Sequence, residues 1–352
     1  CLGANRNTDA LKKQILEFLP KAVSCEYLED VSNDINFSQT MMSLQQIATH
    51  EEIDTVVVAT SGNVALVPTF EAIKNGKDIA IANKETIIMA GEQLTSLAKS
   101  NSVNLMPVDS EPSAIWQCLR GEDKSISKLI ITASGGPFRN IPIPSLRDAS
   151  PSDALKHPTW EMGKKISVDS ATMMNKVFEL IEASKIFDIK LNKFEILIHP
   201  KSYVHAIVKF KNGIIKFIAH ETDMSIPIAN SIYYNENLVL KKSNISLVNL
   251  NNLNFTKPDL EKYPAIKLLK YSSRHNTLFE TALISINDEL VNQFLNHKIK
   301  YMDINSYLLK ILKHPKIKKS YIKKISNFNK IDEFKKIVTI TTKDYVQNKK
   351  IN

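Results

Sequence analysis

The chain has 352 residues, 43% hydrophobic and 24% charged, a composition that fits a soluble globular protein with core enough for two or three domains. No run of about 18 apolar residues is present, which excludes a membrane-spanning helix, and three widely spaced cysteines (Cys1, Cys25, Cys118) exclude a disulfide framework or a zinc motif and fit a reducing compartment. The net charge of +9 resides in the last stretch: from Tyr301 to Asn352 there are thirteen Lys, no Arg and four acids. Without Arg forks, Gly-rich loops or clustered aromatics, this basic tail reads as a solvated helical surface and not as a nucleic-acid site.

The first residues, Cys1-Leu2-Gly3-Ala4, read as the end of a strand, and Asn5-Arg6-Asn7 follow at once. A Rossmann domain reads the adenosine ribose at the end of its second strand, where an Arg accommodates a 2′-phosphate. A plain polar turn is the other reading of Arg6. Next comes the alternation of a doubly wound α/β domain: helices over residues 8–18, 38–50, 65–73 and 86–98, and strands over 53–59, 78–82 and 103–108. Ser61, Gly62, Asn83 and Lys84 fall at strand ends, where this architecture places its cofactor crevice.

The strand over 103–108 ends in Asp109-Ser110-Glu111, two carboxylates flanking a hydroxyl. A helix over 113–119 and a strand over 129–132 follow, and Ser134-Gly135-Gly136 can let backbone amides approach a ligand. Residues 157–165 lack helical or strand period and read as a loop with contact-making side chains. From Ser170 the spacing turns helical, with Asp169 or Ser170 as the cap. On that helix Asn175, Lys176 and Glu179 lie within about 100° of one another. Donors beside a helix start suit an anion. Glu179, Asp109 and Glu111 would make three hard oxygen ligands for Mg²⁺ or Mn²⁺. Taken alone, the helix face is also that of an ordinary solvated helix. Further on, a strand over 194–198 precedes a hairpin over 203–210 and 214–219 with an Asn212-Gly213 turn. Residues 234–262 read as a linker and 263–352 as a small helical domain.

Six motifs occur in order: Asp109-Ser110-Glu111; Ser134-Gly135-Gly136-Pro137-Phe138; His157-Pro158-x-Trp160-x-Met162-Gly163; Val168-Asp169-Ser170-Ala171-Thr172-Met173-Met174-Asn175-Lys176; His199-Pro200-x-Ser202-x-x-His205; and Asp223-Met224-x-x-Pro227-Ile228. The set resembles the 1-deoxy-D-xylulose 5-phosphate reductoisomerase family over nearly the whole chain, most weakly after about residue 290. The resemblance implies a Rossmann-like NADPH domain (1–108), an α+β catalytic domain (109–233), the linker and the C-terminal helical domain. It also implies that a first strand and Gly-rich turn lie upstream of Cys1, since no G-x-G-x-x-G occurs in the chain.

The same resemblance implies a reaction. 1-Deoxy-D-xylulose 5-phosphate would be rearranged and reduced by NADPH to 2-C-methyl-D-erythritol 4-phosphate, with Mg²⁺, Mn²⁺ or Co²⁺ on Asp109, Glu111 and Glu179. Lys84 would approach the nicotinamide and substrate, and His205 would order the metal or proton-transfer shell. Ser110, Ser134, Ser170, Asn175 and Lys176 would hold substrate, chiefly its phosphate, under a flap carrying His157, Trp160 and Met162. Ala4, Asn5, Arg6, Asn7, Ser61, Gly62, Asn83, Glu85, Gly163 and Met224 would contact NADPH. A homodimer acting on a small phosphosugar, with neither nucleic acid nor membrane as partner, is expected in a bacterial cytoplasm or a plastid. Three positions depart from the family pattern. Pro112 stands where His is usual, and Val177-Phe178 where Gly-Leu is usual. A nucleic-acid-associated protein and an NADP-dependent dehydrogenase without skeletal rearrangement are the rival readings.

Overall fold

A computed structural model describes residues 1–4, 7–26, 39–122, 125–236, 238–240, 247–272, 277–319, 321 and 328–351. The chain forms two compact units, one of residues 1–86 and 93–106, the other of 87–92 and 107–352.

The first unit alternates strands and helices: β1 (Leu2–Gly3), α1 (Thr8–Phe18), β2 (Ala22–Ser24), β3 (Thr40–Met41), α2 (Leu44–Ala48), β4 (Thr55–Val58), α3 (Leu66–Lys74), β5 (Asp78–Ile81), α4 (starting at Lys84) and β6 (starting at Leu105). Two three-stranded sheets result, ordered β1-β2-β3 and β4-β5-β6, with β1–β2, β2–β3 and β4–β5 parallel. Parallel strands need both faces covered, and Ile79, Ala80 and Ile81 are fully buried accordingly. A cavity of about 350 Å³ is lined by Leu2 and Gly3 of β1 and by Thr55 to Thr60 around β4. The periodicity over 38–50 overstates its helix. Thr40 and Met41 pair with β2, and the helix begins only after Ser43, whose side chain and Gln46 form a reciprocal cap.

In the second unit, α5 (Ser110–Leu119) precedes β7 (Ile126–Ala133). Then come α6 (Pro151–Ala154), α7 (Lys164–Ala171), α8 (Met174–Phe187), β8 (Phe194–Ile198), β9 (Val204–Phe210), β10 (Ile215–Ala219) and α9 (Ser225–Ile232). Helices α10 (Leu278–Leu295), α11 (Tyr301–Ile311), α12 (Pro315–Lys318) and α13 (Asn329–Ile351) finish the chain. The sheet order is β10-β9-β7-β8, with β7 and β8 parallel and β9 antiparallel to both its neighbours. Ile115 and Cys118 of α5 and Leu180 and Ala183 of α8 close one core with Leu129, Ile131, Ala206 and Val208 of the sheet. Gly213 turns the expected hairpin at φ 90°. Among the described residues, no helix is long and apolar enough to cross a membrane.

Candidate active site

Two expectations about local structure are corrected. Asp109-Ser110-Glu111 does not simply end a strand: Asp109 precedes α5, and Ser110 and Glu111 form its first turn. Pro112 is in that same turn, where helix N–H groups have no intrahelical acceptor, so the helix loses nothing by it. The second correction concerns residues 164–187, which are two helices. Helix α7 begins at Lys164, inside the expected loop, and Met173 breaks the run at φ 65° before α8. Asp169 and Ser170 therefore close one helix instead of capping the next. Asp169 is pinned there by Lys165 Nζ at 3.0 Å and by Asn287 Nδ2 at 2.7 Å.

The break places α5 and the start of α8 so that their carboxylates converge. Oxygens of Asp109, Glu111 and Glu179 lie within 4.8 Å of one another. Glu111 and Glu179 are buried. Lys176 Nζ sits 2.6 Å from Glu111 Oε1 and 2.7 Å from Glu179 Oε2, Ser110 Oγ donates to Glu111 at 2.5 Å, and Asn175 Nδ2 donates to Glu179. Burial alone would push the Glu111 carboxyl up. The Lys176 ammonium and the His205 ring, whose Nδ1 is 3.8 Å from Glu111 Oε1, outweigh it and hold Glu111 well below the usual carboxylate range. Burial opposes the Lys176 charge as well, but Glu111 and Glu179 prevail and raise its pKa. The donor set is hard oxygen throughout and anionic, which fits Mg²⁺ and not a soft metal.

Beside the carboxylates is a cradle of neutral donors. His157 Nδ1 accepts from the backbone N–H of Trp160 at 2.9 Å and of Thr159 at 3.3 Å. Its Nε2–H therefore faces the hydroxyls of Ser134 and Ser170, at 3.0 and 3.1 Å. Burial first, and the nearby Lys176 charge second, push the His157 pKa down to about 4, so the ring is neutral. Gly136 N–H donates to Ser134 Oγ at 3.0 Å. A Cβ on Gly136 would meet Ser170 O at 2.9 Å, and the residue holds φ 67°, so the site requires glycine on two counts.

Trp160, half-buried, sets its ring 6.1 Å from that of His205. Met162 is half-buried, and Gly163 is exposed just before α7. Met224, half-buried, precedes α9. Val177 and Phe178 turn inward and are buried, Phe178 lying 5.6 Å beneath Lys165 Nζ, so their bulk enters the core.

The remaining expected residues belong to the first unit. Asn83 accepts from Thr86 N at 2.7 Å and donates to Thr60 O and to Gly62 O, the latter at 2.8 Å, which ties the Ser61-Gly62 turn to the start of α4, where Lys84 and Glu85 stand half-buried. Ala4 N donates to Ser24 O at 2.9 Å, and Asn7 caps α1 through Ala10 N at 3.1 Å. Asn5 and Arg6 lie outside the described residues.

Three residues supporting the site carried no sequence signal. The Tyr263 hydroxyl donates to Gly135 O at 2.8 Å and that of Tyr301 to Ala171 O at 2.7 Å. Burial raises both phenol pKa values, Tyr263 to about 12. His220 stacks on His205 with ring centroids 3.9 Å apart. Each lies outside the six motifs, and only the tertiary fold brings it in.

The α/β unit and the carboxylate cluster fit an α/β enzyme that uses a hard metal ion. The chain belongs to the 1-deoxy-D-xylulose 5-phosphate reductoisomerase family. Residues 1–91 match 1-deoxy-D-xylulose 5-phosphate reductoisomerase, 105–187 its C-terminal domain, and 220–338 the DXP reductoisomerase C-terminal domain. The 1-deoxy-D-xylulose 5-phosphate reductoisomerase of Pelagibacter ubique is 49% identical over 293 residues, 83% of this chain and 76% of its own. That of Clostridium botulinum strain Alaska E43 is 43% identical over 86% of this chain and 81% of its own. A crystal structure of DOX-P reductoisomerase in complex with NADPH, fosmidomycin and magnesium superposes with TM-score 0.93 at 33% identity, covering 99% of this chain and 91% of the other. The Zymomonas mobilis enzyme in complex with NADPH gives 0.85 at 30% identity, covering 98% and 90%.

Proposed function

We propose that this chain converts 1-deoxy-D-xylulose 5-phosphate to 2-C-methyl-D-erythritol 4-phosphate by rearrangement and NADPH-dependent reduction, the step that opens the non-mevalonate isoprenoid route. The single observation that supports the site assignment best is the convergence of Asp109, Glu111 and Glu179 within 4.8 Å beside the Ser134–His157–Ser170 cradle. Family membership supports the reaction.

Asp109, Glu111 and Glu179 would hold Mg²⁺ or Mn²⁺. The bound ion supplies Lewis acidity at the substrate's carbonyl and adjacent hydroxyl. Ser134 and Ser170 hydroxyls and the Nε2–H of neutral His157 bind the phosphate, with Asn175 and Lys176 from the first turn of α8. Holding that remote anion positions the reacting end. Trp160 and Met162 cover the substrate and exclude water. His205 holds Glu111. Ser61, Gly62, Asn83 and Lys84 form the side of the first unit that receives NADPH, and Lys84 reaches toward the nicotinamide. The acting form is a homodimer in a bacterial cytoplasm.

The test is NADPH consumption followed with 1-deoxy-D-xylulose 5-phosphate and Mg²⁺, with the product identified by mass and NMR. Oxidation of NADPH with an unrearranged carbon chain would favour a plain dehydrogenase. Absence of oxidation, with salt-sensitive nucleic-acid binding, would favour the basic-tail reading.

A further inference from the structure

We propose that the Lys176 ammonium and the divalent ion are alternative occupants of the carboxylate cluster, so that arrival of the ion hands Lys176 to the phosphate and the two ligands bind cooperatively. This rests on the metal and phosphate sites assigned above. The two donors that α8 offers to an anion are both turned the other way. Lys176 Nζ bridges Glu111 and Glu179 at 2.6 and 2.7 Å, and Asn175 Nδ2 is bonded to Glu179. The buried ammonium thus neutralises the oxygens that a metal would need.

An Mg²⁺ ion takes oxygen ligands at about 2.0–2.1 Å. On Glu111 and Glu179 it would lie in contact range of an ammonium bridging the same carboxylates. The ion and the ammonium would contend for the same oxygens, Glu111 Oε1 and Glu179 Oε2, and would repel each other across them. One must leave, and a flexible four-carbon stem can move where a fixed carboxylate cannot. Its destination is adjacent: Ser170 at the end of α7 stands six residues before Lys176, with only Thr172 and Met173 between the two helices, and the Lys176 charge lowers the His157 pKa accordingly. The cradle there, two hydroxyls and a neutral imidazole, has no formal charge of its own to match a phosphate. Lys176 supplies it once released. The coupling is reciprocal: a bound phosphate that holds Lys176 vacates the carboxylates for metal.

Mn²⁺ serves as the probe, its free ion counted by electron paramagnetic resonance without NADPH. Methylphosphonate, which cannot chelate the metal as a hydroxamate does, serves as the anion. The wild-type chain should bind Mn²⁺ several-fold more tightly with saturating methylphosphonate than without. Lys176→Met, lacking the competing cation, should bind Mn²⁺ several-fold more tightly than wild type when alone and show no gain from methylphosphonate. Ser170→Ala keeps the ammonium, so it should retain wild-type Mn²⁺ affinity and need a several-fold higher methylphosphonate concentration to reach the same gain. A residue that merely props up the fold would not tighten metal binding when removed. Equal or weaker Mn²⁺ binding by Lys176→Met, or a methylphosphonate effect that survives in it, overturns the exchange while the metal site stands. No Mn²⁺ binding by any of the chains removes the metal site itself, and the exchange with it.

Discussion

The imidazole of His205 lies flat against that of His220, with centroids 3.9 Å apart and planes 19° from parallel. His205 is buried, its Nε2 faces the His220 carbonyl oxygen at 3.3 Å, and its Nδ1 faces Glu111. Residue 220 therefore fixes both the plane and the direction of the ring that steadies a carboxylate of the cluster. His220→Ala should lower Mn²⁺ affinity or activity by roughly 10-fold, the lower range for partners that orient metal ligands. His220→Phe, which restores a flat neighbour, should recover most of it. Equal Mn²⁺ titrations for the alanine variant and wild type would show that the stack is packing alone.

Acid should weaken the cradle before it unfolds the chain. The His157 pKa, lowered to about 4 by burial and by Lys176, is below the ordinary value of about 6.5 that the unfolded chain restores. Between those values the unfolded state binds the extra proton, so the stabilisation from neutral His157 is fully present above about pH 6.5 and disappears as pH falls toward 4. His220, pushed to about 4 by burial and by the neighbouring His205, adds in the same window and direction. The fall in urea midpoint between pH 7.5 and pH 5 should be smaller in His157→Asn than in wild type. Parallel losses would assign the acid sensitivity elsewhere.

The contrast between two glycines separates strain from collision. Gly62 and Gly136 both hold positive φ, 75° and 67°, but a Cβ on Gly62 meets nothing within 4 Å while one on Gly136 meets Ser170 O at 2.9 Å. Gly62→Ala should cost about 1–2 kcal/mol of folding stability for the left-handed conformation. Gly136→Ala should cost more and also weaken phosphorylated ligands, because it pushes the loop of Ser134 away from Ser170. Denaturation and phosphonate titration of the pair check both statements.

How much of this was legible beforehand depended on whether the signal was local. Asn212-Gly213 is a turn that acts on its own neighbours, and the helix over Thr8–Phe18 and the hairpin stand where their patterns place them. Asp109, Glu111 and Glu179 could be grouped because the six motifs resemble one family, since the face that carries Glu179 reads by itself equally well as a solvated one. The helix break at Met173 was not, since a methionine with positive φ has no compositional mark and the apolar period runs across it. Tyr263, Tyr301 and His220 act through contacts closed only by the fold, so nothing next to them in sequence announces their partners.

Glu179→Gln should reduce kcat by about 10² or more, since losing one anionic ligand removes part of a metal's several-kcal/mol stabilisation and each 1.36 kcal/mol is tenfold. The side chain keeps its length and its helix propensity, so the circular dichroism spectrum should be unchanged. Undiminished turnover in metal-limited buffer would remove Glu179 from the metal site.

Trp160 offers an optical test of closure. The chain has two tryptophans, and Trp116 is packed beside Tyr234 at 6.4 Å and Arg120 at 5.7 Å. In a Trp116→Phe background, a phosphonate added with Mg²⁺ and NADPH should shift Trp160 emission to shorter wavelength as the flap dries it. A fixed spectrum at saturation would mean that the loop does not close.

The tyrosine latches set a timetable for synthesis. Tyr263 reaches back 128 residues to Gly135, and Tyr301 reaches back 130 to Ala171. A growing chain that has already made every carboxylate and cradle residue still lacks both latches. Contacts of such sequence separation close late, after their loop entropy has been met. On the ribosome, the anion cradle is therefore among the last parts of the molecule to mature. A chain halted before Tyr301 would expose the break between α7 and α8, carrying every ligand of the site in sequence and no finished site in space.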